Sequence, residues 1–306
     1  MTTSKKLLTV LVPTLLIFST LLLSSCGGGG GGTTTGGNGM ISGTAVKGPV
    51  HGATVTSFAI NNGAMGAQIG NGSTDAQGNF SVSIGSYSGP VLLQMSGGAY
   101  TDEATNTTSM PMHTGDVMTS VIPSVTAGST MSGIQITPLT SMAQARAHNM
   151  TGGMSDTNIT AANTAVGTYF MVNDILHTPP INPLVQNSGV AAGVDQNMKN
   201  YGMAIAAMSQ YAANLGMPSS SGMVTAMMND ASDGVMDGMM GGTPISMSGM
   251  GGMMGGGNML STAGTSSMAT AMTTFINNAS VNKSGLTTTD MNALIVKLNG
   301  SNGTIQ

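Results

Sequence analysis

The sequence predicts an α+β protein, in which a small antiparallel β-sandwich over residues 40–137 is followed by a mostly α-helical domain over residues 138–306. Two periodicities support this prediction. In the first part, Phe80, Val82 and Ile84 alternate with serines, which is the period of two typical of a half-buried strand. In the second part, apolar residues recur at helical spacing, most regularly along residues 197–215. A signal peptide and a Gly-rich tether are predicted ahead of both parts.

The first 25 residues have the layout of a secretory signal peptide. Lys5 and Lys6 are followed by an apolar run over residues 7–23 and then by small residues. A plain transmembrane anchor is the alternative interpretation. The run contains Pro13 and is short for a span of roughly 20 residues. We therefore expect residues 1–25 to be removed on export.

Cys26 is the only cysteine of the chain. The segment Leu23-Ser24-Ser25-Cys26 resembles the bacterial lipobox. This resemblance implies a diacylglyceryl group on the Cys26 thiol, cleavage just before it and acylation of the new N-terminus. Since Gly27 rather than aspartate follows, it also implies sorting to the outer membrane, with the protein facing the periplasm or the cell surface. The lipid would make the membrane a partner, and the acylated cysteine leaves no thiol for a disulfide or a metal.

Residues 26–39 are predicted to be a lipidated tether, because residues 27–39 read GGGGGGTTTGGNG. Glycine at this density loses too much backbone entropy and buries too little to hold a fold. Beyond the signal peptide only five basic residues remain, against 11 acidic ones. A chain so poor in Lys and Arg has no basic surface for phosphates, which excludes nucleic acid as a partner.

Several short strands are predicted between residues 40 and 137. Residues 79–84 and 91–95 alternate between apolar and polar side chains, and residues 46–55 read as strand, turn, strand. Residues 74–79 supply the Asp and Gly of a turn. Together, residues 43–55 (GTAVKGPVHGATV) and 74–82 (TDAQGNFSV) resemble carboxypeptidase-regulatory-like domains. That resemblance, which covers about residues 40–100, implies a prealbumin-like β-sandwich that serves as an accessory module without catalysis.

Helices are predicted over residues 156–172, 197–215, 221–228, 265–278 and 287–298. Ser221 is predicted to cap the third of these, and Thr287 with Asp290 forms a capping box for the last. Three prolines within residues 177–183 predict a loop. A helical region after such a sandwich resembles a set of exported lipoproteins to which no activity is attached.

Methionine is unusually frequent, with 30 residues. Those on helical stripes are interpreted as core packing. Residues 234–259 read GVMDGMMGGTPISMSGMGGMMGGGNM, in which glycine disfavours helix and strand, so we predict a loop. Thioether sulfur binds Cu(I) or Ag(I) in preference to hard ions. The predicted soft-metal ligands in this loop are Met236, Met239, Met240, Met247, Met250, Met253 and Met254, and Met259 ends the loop.

A smaller soft-metal candidate is the segment that contains Met110, Met112 and His113. Three alternatives to metal binding stay open for the Met-rich loop. It could be low-complexity sequence, adaptable packing over an apolar groove, or a sink for oxidants through methionine sulfoxide.

Other candidate chemistry is sparse. Asp230, Asp233 and Asp237 invite a calcium interpretation, but EF-hand spacing fails, and a helix end followed by turns is the preferred interpretation. The adjacent acids Asp102 and Glu103 are expected to be solvated. The histidines are isolated in sequence, and no serine-hydrolase elbow, zincin motif or P-loop is present. These four histidines are His51, His113, His148 and His177.

Two functions are therefore predicted. The first is a non-catalytic lipoprotein of the cell envelope with a structural or binding role towards an unknown envelope protein. The alternative is binding and sequestration of Cu(I) or Ag(I) through the Met-rich loop. No other cofactor and no enzymatic activity are predicted.

Overall fold

Strands come first and helices follow in the computed structural model, which describes residues 38–246 and 259–306. The described residues belong to one compact unit and have the predicted α+β content. The signal peptide, Cys26 and the tether up to residue 37 lie outside the described residues. The strands are β1 (Gly39–Ala45), β2 (Thr54–Asn61), β3 (Ala64–Ser73), β4 (Asn79–Gly85), β5 (Gly89–Ser96), β6 (Ala99–Tyr100), β7 (Met110–Pro111), β8 (Val117–Val125) and β9 (Thr130–Ile136).

Two larger sheets are formed from these strands. The four-stranded sheet has the order β3-β2-β5-β8 and is antiparallel throughout. The three-stranded sheet has the order β4-β1-β9, in which β4 is antiparallel to β1 and β9 is parallel to it. The prediction of a wholly antiparallel arrangement was wrong for this pair. The chain passes from β8 in one sheet to β9 in the other through residues 126–129.

The inward faces of the two sheets share one hydrophobic core. The alternation predicted for residues 79–84 is confirmed, because Phe80, Val82 and Ile84 are buried and the intervening serines are exposed. Their counterparts from the four-stranded sheet in the same core are Val55, Val91, Leu93, Met95, Met118 and Ile122. Apolar burial, roughly 25 cal/mol per Å² removed from water, is the main force that holds the two sheets together.

The helices are α1 (Pro138–Asn149), α2 (Asp156–Tyr169), α3 (Gln196–Asn214), α4 (Ser221–Ser232), α5 (Ser266–Asn277) and α6 (Asn292–Gly300). Leu92 of β5 and Val121 of β8 point away from the sheet core and into the cluster formed by the helices. The inner strand β5 and the edge strand β8 are therefore buried on both faces. Helix α3 is buried all round from Asn200 to Ala212, which places it at the centre of the helical cluster.

Side-chain caps mark where α1, α2 and α3 begin. Thr137 and Thr140 form a reciprocal capping box at α1, and Asp195 accepts from the Met198 N–H at α3 (2.9 Å). The two hydrogen bonds of the predicted box near α6 form, since the Thr287 N–H donates to the Asp290 carboxylate (2.7 Å) and the Asp290 N–H to the Thr287 hydroxyl (3.4 Å). They close a turn ahead of the helix, because α6 begins only at Asn292 and its N-cap is Met291, so the box does not cap α6 as predicted.

Helices α4, α5 and α6 begin without a side-chain capping hydrogen bond. The N-cap residue of α4 is Ser220, and its side chain makes no such bond, so the predicted cap at Ser221 was wrong. Residues 177–183 contain no helix or strand, as the prolines predicted. No helix among residues 38–246 and 259–306 is long and apolar enough to cross a membrane.

Candidate functional site

The predicted metal ligands fall into three environments. Met236 and Met112 are only 1% and 6% exposed and belong to the hydrophobic cores. Met110 and Met239 are half-buried, whereas Met240 and His113 are exposed. The remaining predicted ligands, Met247, Met250, Met253 and Met254, lie outside the described residues. Met236 and Met112 contribute to core packing, so their sulfurs are not presented to solvent.

The Met-rich segment contains a short hairpin that the sequence did not predict. Met239–Met240 (β10) pairs with Thr243–Pro244 (β11) across Gly241 and Gly242, which both have positive φ. Two such residues form the tight turn that matches the twist of paired strands, and glycine adopts it without strain. The expectation that glycine prevents any strand here was therefore wrong for these residues. Beyond the hairpin, Ser246 bridges to Met259.

The three aspartates of the calcium hypothesis bind turn amides. Asp230 accepts from the Gly238 N–H (2.7 Å), Asp233 from Val235 and Gly241, and Asp237 from Met239. Within the described residues no group of three or more Asp, Glu, His or Cys side chains could hold a metal ion. The interpretation as a helix end followed by turns is confirmed.

Asp230 gives the protein a pH-dependent stability. Burial raises its pKa from 3.8 to about 7, and the charges of Asp237 and Asp233 add to the rise against the opposing Gly238 hydrogen bond. Folding therefore favours the protonated acid, and this contribution to stability is lost as the pH rises from about 4 to about 7.

Asp230→Asn is expected to remove the loss of stability that accompanies the rise in pH. The asparagine side chain carries no charge, and its amide oxygen can still accept the hydrogen bond from the Gly238 N–H. We expect the free energy of unfolding of the variant to exceed that of the parent by about 2 kcal/mol at pH 8, after allowance for solvent screening. At pH 4 the two proteins should be equally stable. Urea denaturation between pH 4 and 8 measures the difference, with the exposed acid in Asp156→Asn as the matched control. A constant difference across this range would contradict the prediction.

The adjacent acids Asp102 and Glu103 are buried, so the expectation that they are solvated was wrong. They are 3% and 2% exposed. The Glu103 carboxylate accepts a hydrogen bond from Lys47 Nζ (2.8 Å) and another from the Ser209 hydroxyl (2.6 Å). Lys47 Nζ also donates to Ser209 and lies 5.1 Å from the centre of the Tyr100 ring. We call Lys47, Tyr100, Asp102, Glu103 and Ser209 the buried polar cluster.

Charge pairing keeps Lys47 protonated. Burial by itself would lower its pKa, but the negative charge of Glu103, with smaller contributions from Tyr100 and Asp102, outweighs burial and raises it. An ammonium held in this way has no lone pair to take a proton from Ser209. The buried polar cluster therefore joins the β1–β2 connection and the 101–109 loop to helix α3, and its chemistry is that of a structural ion pair.

Asp102 extends this cluster to the start of helix α4. Its carboxylate accepts from the backbone N–H groups of Ala104 and Thr105 (both 3.1 Å) and from the Ser220 hydroxyl. The Tyr100 hydroxyl lies 3.1 Å from Ser219 Oγ. The first turn of α4, which lacks a cap of its own, is thus bound by side chains from the strand region.

A groove of about 160 Å³ opens beside the same turn. We call it the α4 groove. Its apolar lining includes Met217, Pro218, Ala226 and Ile245. Its polar lining consists of His113, Asp116, Ser219, Thr225, Asn229 and Ser246. A mainly apolar concavity with a few convergent polar groups is the usual form of a small-molecule site.

Asp116 is the most firmly held polar group of the α4 groove. The Ser221 hydroxyl donates to one carboxylate oxygen (2.7 Å) and the Thr225 hydroxyl to the other (3.0 Å). The Ser221 hydroxyl also accepts from the His113 backbone N–H (3.2 Å). These contacts fix the 113–116 turn against α4, with the His113 side chain exposed at the groove.

The other histidines lie apart from this groove. His51 pairs through its backbone with Ala99, His148 is exposed on α1, and the His177 ring lies 2.8 Å from the Asp174 carboxylate. Arg146 donates to the Asp233 carbonyl (3.0 Å), which ties α1 to the end of α4.

The sequence patterns did not indicate Lys47, Ser209, Asp116 or Met217 as functional residues. The available signal was Lys47 itself, a rare cation in an otherwise apolar strand-turn-strand segment. Comparison with protein-family models, with curated proteins and with solved structures found no match to this chain. The assignment of function therefore depends on the chain's own residues.

Proposed function

We propose that this protein is a non-catalytic lipoprotein of the bacterial cell envelope, held in the outer membrane by Cys26 and serving a binding role. One observation carries the proposal. The lipobox-like Leu23-Ser24-Ser25-Cys26 follows a signal-like apolar run and precedes a Gly-rich stretch, after which β1 begins at Gly39. This order of segments suits a compact unit that is displayed on a tether from a lipid.

The finer architecture of residues 40–137 is part of this proposal. We infer that the two sheets are a β-sandwich of the carboxypeptidase-regulatory-like type, because their inward faces share one core. The binding role is assigned to the α4 groove, since it combines apolar walls with a fixed carboxylate and an exposed imidazole. The partner is a component of the cell envelope.

Cys26→Ala is expected to abolish membrane attachment, because no other residue offers a thiol for acylation. In the parent, intact-mass analysis should show loss of residues 1–25 and the added acyl groups, and the protein should partition into the detergent phase. Ser25→Ala, which keeps the cysteine and a small residue before it, is the matched control. Detergent-phase partition of the Cys26→Ala protein would refute the anchor and favour a transmembrane segment.

A second candidate function is Cu(I) or Ag(I) sequestration by the Met-rich segment. The specific observation that favours it is that Ser246 and Met259, the residues on either side of positions 247–258, bridge to each other. Met240 and Met259, 49% and 46% exposed, offer two accessible sulfurs in the described part of the segment.

Cu(I) titration against a chromophoric chelator tests this second function in the form that lacks residues 1–26. Replacing Met239, Met240, Met247, Met250, Met253 and Met254 by leucine is expected to reduce the bound Cu(I) by at least one equivalent. Met236 is left in place because it belongs to the core. Replacement of the exposed Met40 and Met65 by leucine is the control. Unchanged binding in the six-site variant would refute the metal function.

A further inference from the structure

We propose that the α4 groove binds the primary ammonium group of a small alkylamine, with Asp116 as the counter-charge and the apolar wall against the alkyl chain. This ligand class specifies the binding role proposed above and rests on it. The ammonium could belong to a free amine or to a lysine side chain, which share this chemistry.

The hydrogen-bonding state of Asp116 favours an ammonium ligand. An ionised carboxylate offers about four acceptor positions. The structure uses one on each oxygen, for Ser221 (2.7 Å) and Thr225 (3.0 Å). The carboxylate is therefore held in one orientation and retains acceptor capacity on both oxygens. An ammonium group, with three donors, satisfies that capacity through charge-assisted hydrogen bonds.

The charged groups around the groove also favour a cationic ligand. In the described parts of the chain the side-chain ion pairs are Lys47–Glu103 and His177–Asp174, so no cation pairs with Asp116 there. The imidazole of His113 is the other titratable group that lines the groove. A cationic ligand is therefore favoured and an anionic one is opposed.

The size and polarity of the groove set the length of the ligand. The volume of about 160 Å³ restricts the ligand to a small molecule, and we take a chain of four carbons with one nitrogen as the test case. Met217, Ala226 and Ile245 supply the apolar surface for the carbons. Because the groove is small and open, the affinity is expected to be in the millimolar range.

Saturation-transfer NMR titrations of the full mature lipoprotein, solubilised in a non-ionic detergent at pH 7.5, test the proposal. The probes are n-butylamine, 1-butanol and butyrate, which share the alkyl chain and differ in charge. We expect n-butylamine to bind at least tenfold more tightly than the other two. Equal affinity for the amine and the alcohol, or no binding of the amine at 100 mM, would overturn the proposal.

Two substitutions locate the binding. Asp116→Asn keeps the size of the side chain and removes its charge, and is expected to weaken amine binding at least tenfold. Asp156→Asn, at an exposed acid of α2, is the matched control and should leave amine binding unchanged. If Asp116→Asn does not fold, Thr225→Val, which removes only one orienting hydroxyl, is expected to weaken binding about threefold. Unchanged binding in the folded groove variant would overturn the assignment.

The source of the amine is decided by a further probe, the lysine derivative with acetylated N-terminus and N-methylamide C-terminus. Binding as tight as that of n-butylamine supports a lysine side chain, and weaker binding supports a free amine. Failure of all amines in a protein that is shown to be lipidated at Cys26 refutes this ligand class alone and leaves the envelope anchor intact.

Discussion

Glu103→Ala is expected to lower the free energy of unfolding by about 3–5 kcal/mol, the cost of breaking a buried ion pair by removing one partner. Lys47 is 0% exposed, so its burial keeps bulk solvent from replacing the lost carboxylate. The Ser209 hydroxyl would lose the nearer of its two acceptors at the same time and keep only the Ile205 carbonyl at 3.4 Å. Urea denaturation monitored by circular dichroism measures the change.

The double variant Lys47→Met with Glu103→Leu separates the charge from the packing. Since no unpaired ion is left behind, we expect the free energy of unfolding of this double variant to be within about 2 kcal/mol of the parent's. His177→Ala breaks the exposed Asp174 pair and should cost less than about 1 kcal/mol. A loss of less than about 1 kcal/mol in Glu103→Ala would show that the buried pair does not form.

Gly43→Ala is expected to lower the free energy of unfolding by at least about 3 kcal/mol, as a severe case of overpacking. A Cβ atom at this position would lie 1.7 Å from the Ile134 carbonyl oxygen in β9. Because that atom belongs to the backbone, no side chain can rotate away to make room, and the parallel β1–β9 pairing must shift.

Gly300→Ala in α6 is the matched control, because nothing lies within 4 Å of the position that a Cβ atom would take there and alanine is the better helix former. It should leave stability unchanged or raise it by up to about 1 kcal/mol. Thermal denaturation of both variants compares them. A Gly43→Ala protein as stable as the parent would contradict the close approach of β1 and β9.

Local patterns predicted the elements well because each depends on neighbouring residues. The alternation at Phe80, Val82 and Ile84 is confirmed, and the hydrogen bonds between Thr287 and Asp290 form, although in a turn ahead of α6. The parallel direction of the β1–β9 pair was missed. Side-chain periodicity indicates which face of a strand is buried, but it does not indicate whether two strands pair in parallel or antiparallel.

The buried polar cluster and the α4 groove were missed for a different reason. Glu103 meets Lys47 across 56 positions and Ser209 across 106, and Asp116 meets Ser221 across 105. An acid next to another acid in a polar stretch resembles a solvated turn unless its distant partner is known. Burial of Asp102 and Glu103 is thus a property of the tertiary fold and leaves no local pattern.

Strand β1 has a mechanical consequence. It is the first element of the described chain and the central strand of its sheet, bonded to β4 on one side and to β9 on the other. A pull from the N-terminal side acts along β1, while its hydrogen bonds to both neighbours run across that direction. The bonds are then loaded in shear and share the force, in contrast to an edge hairpin that opens one bond at a time. The N-terminal end of the described chain is therefore built to withstand traction.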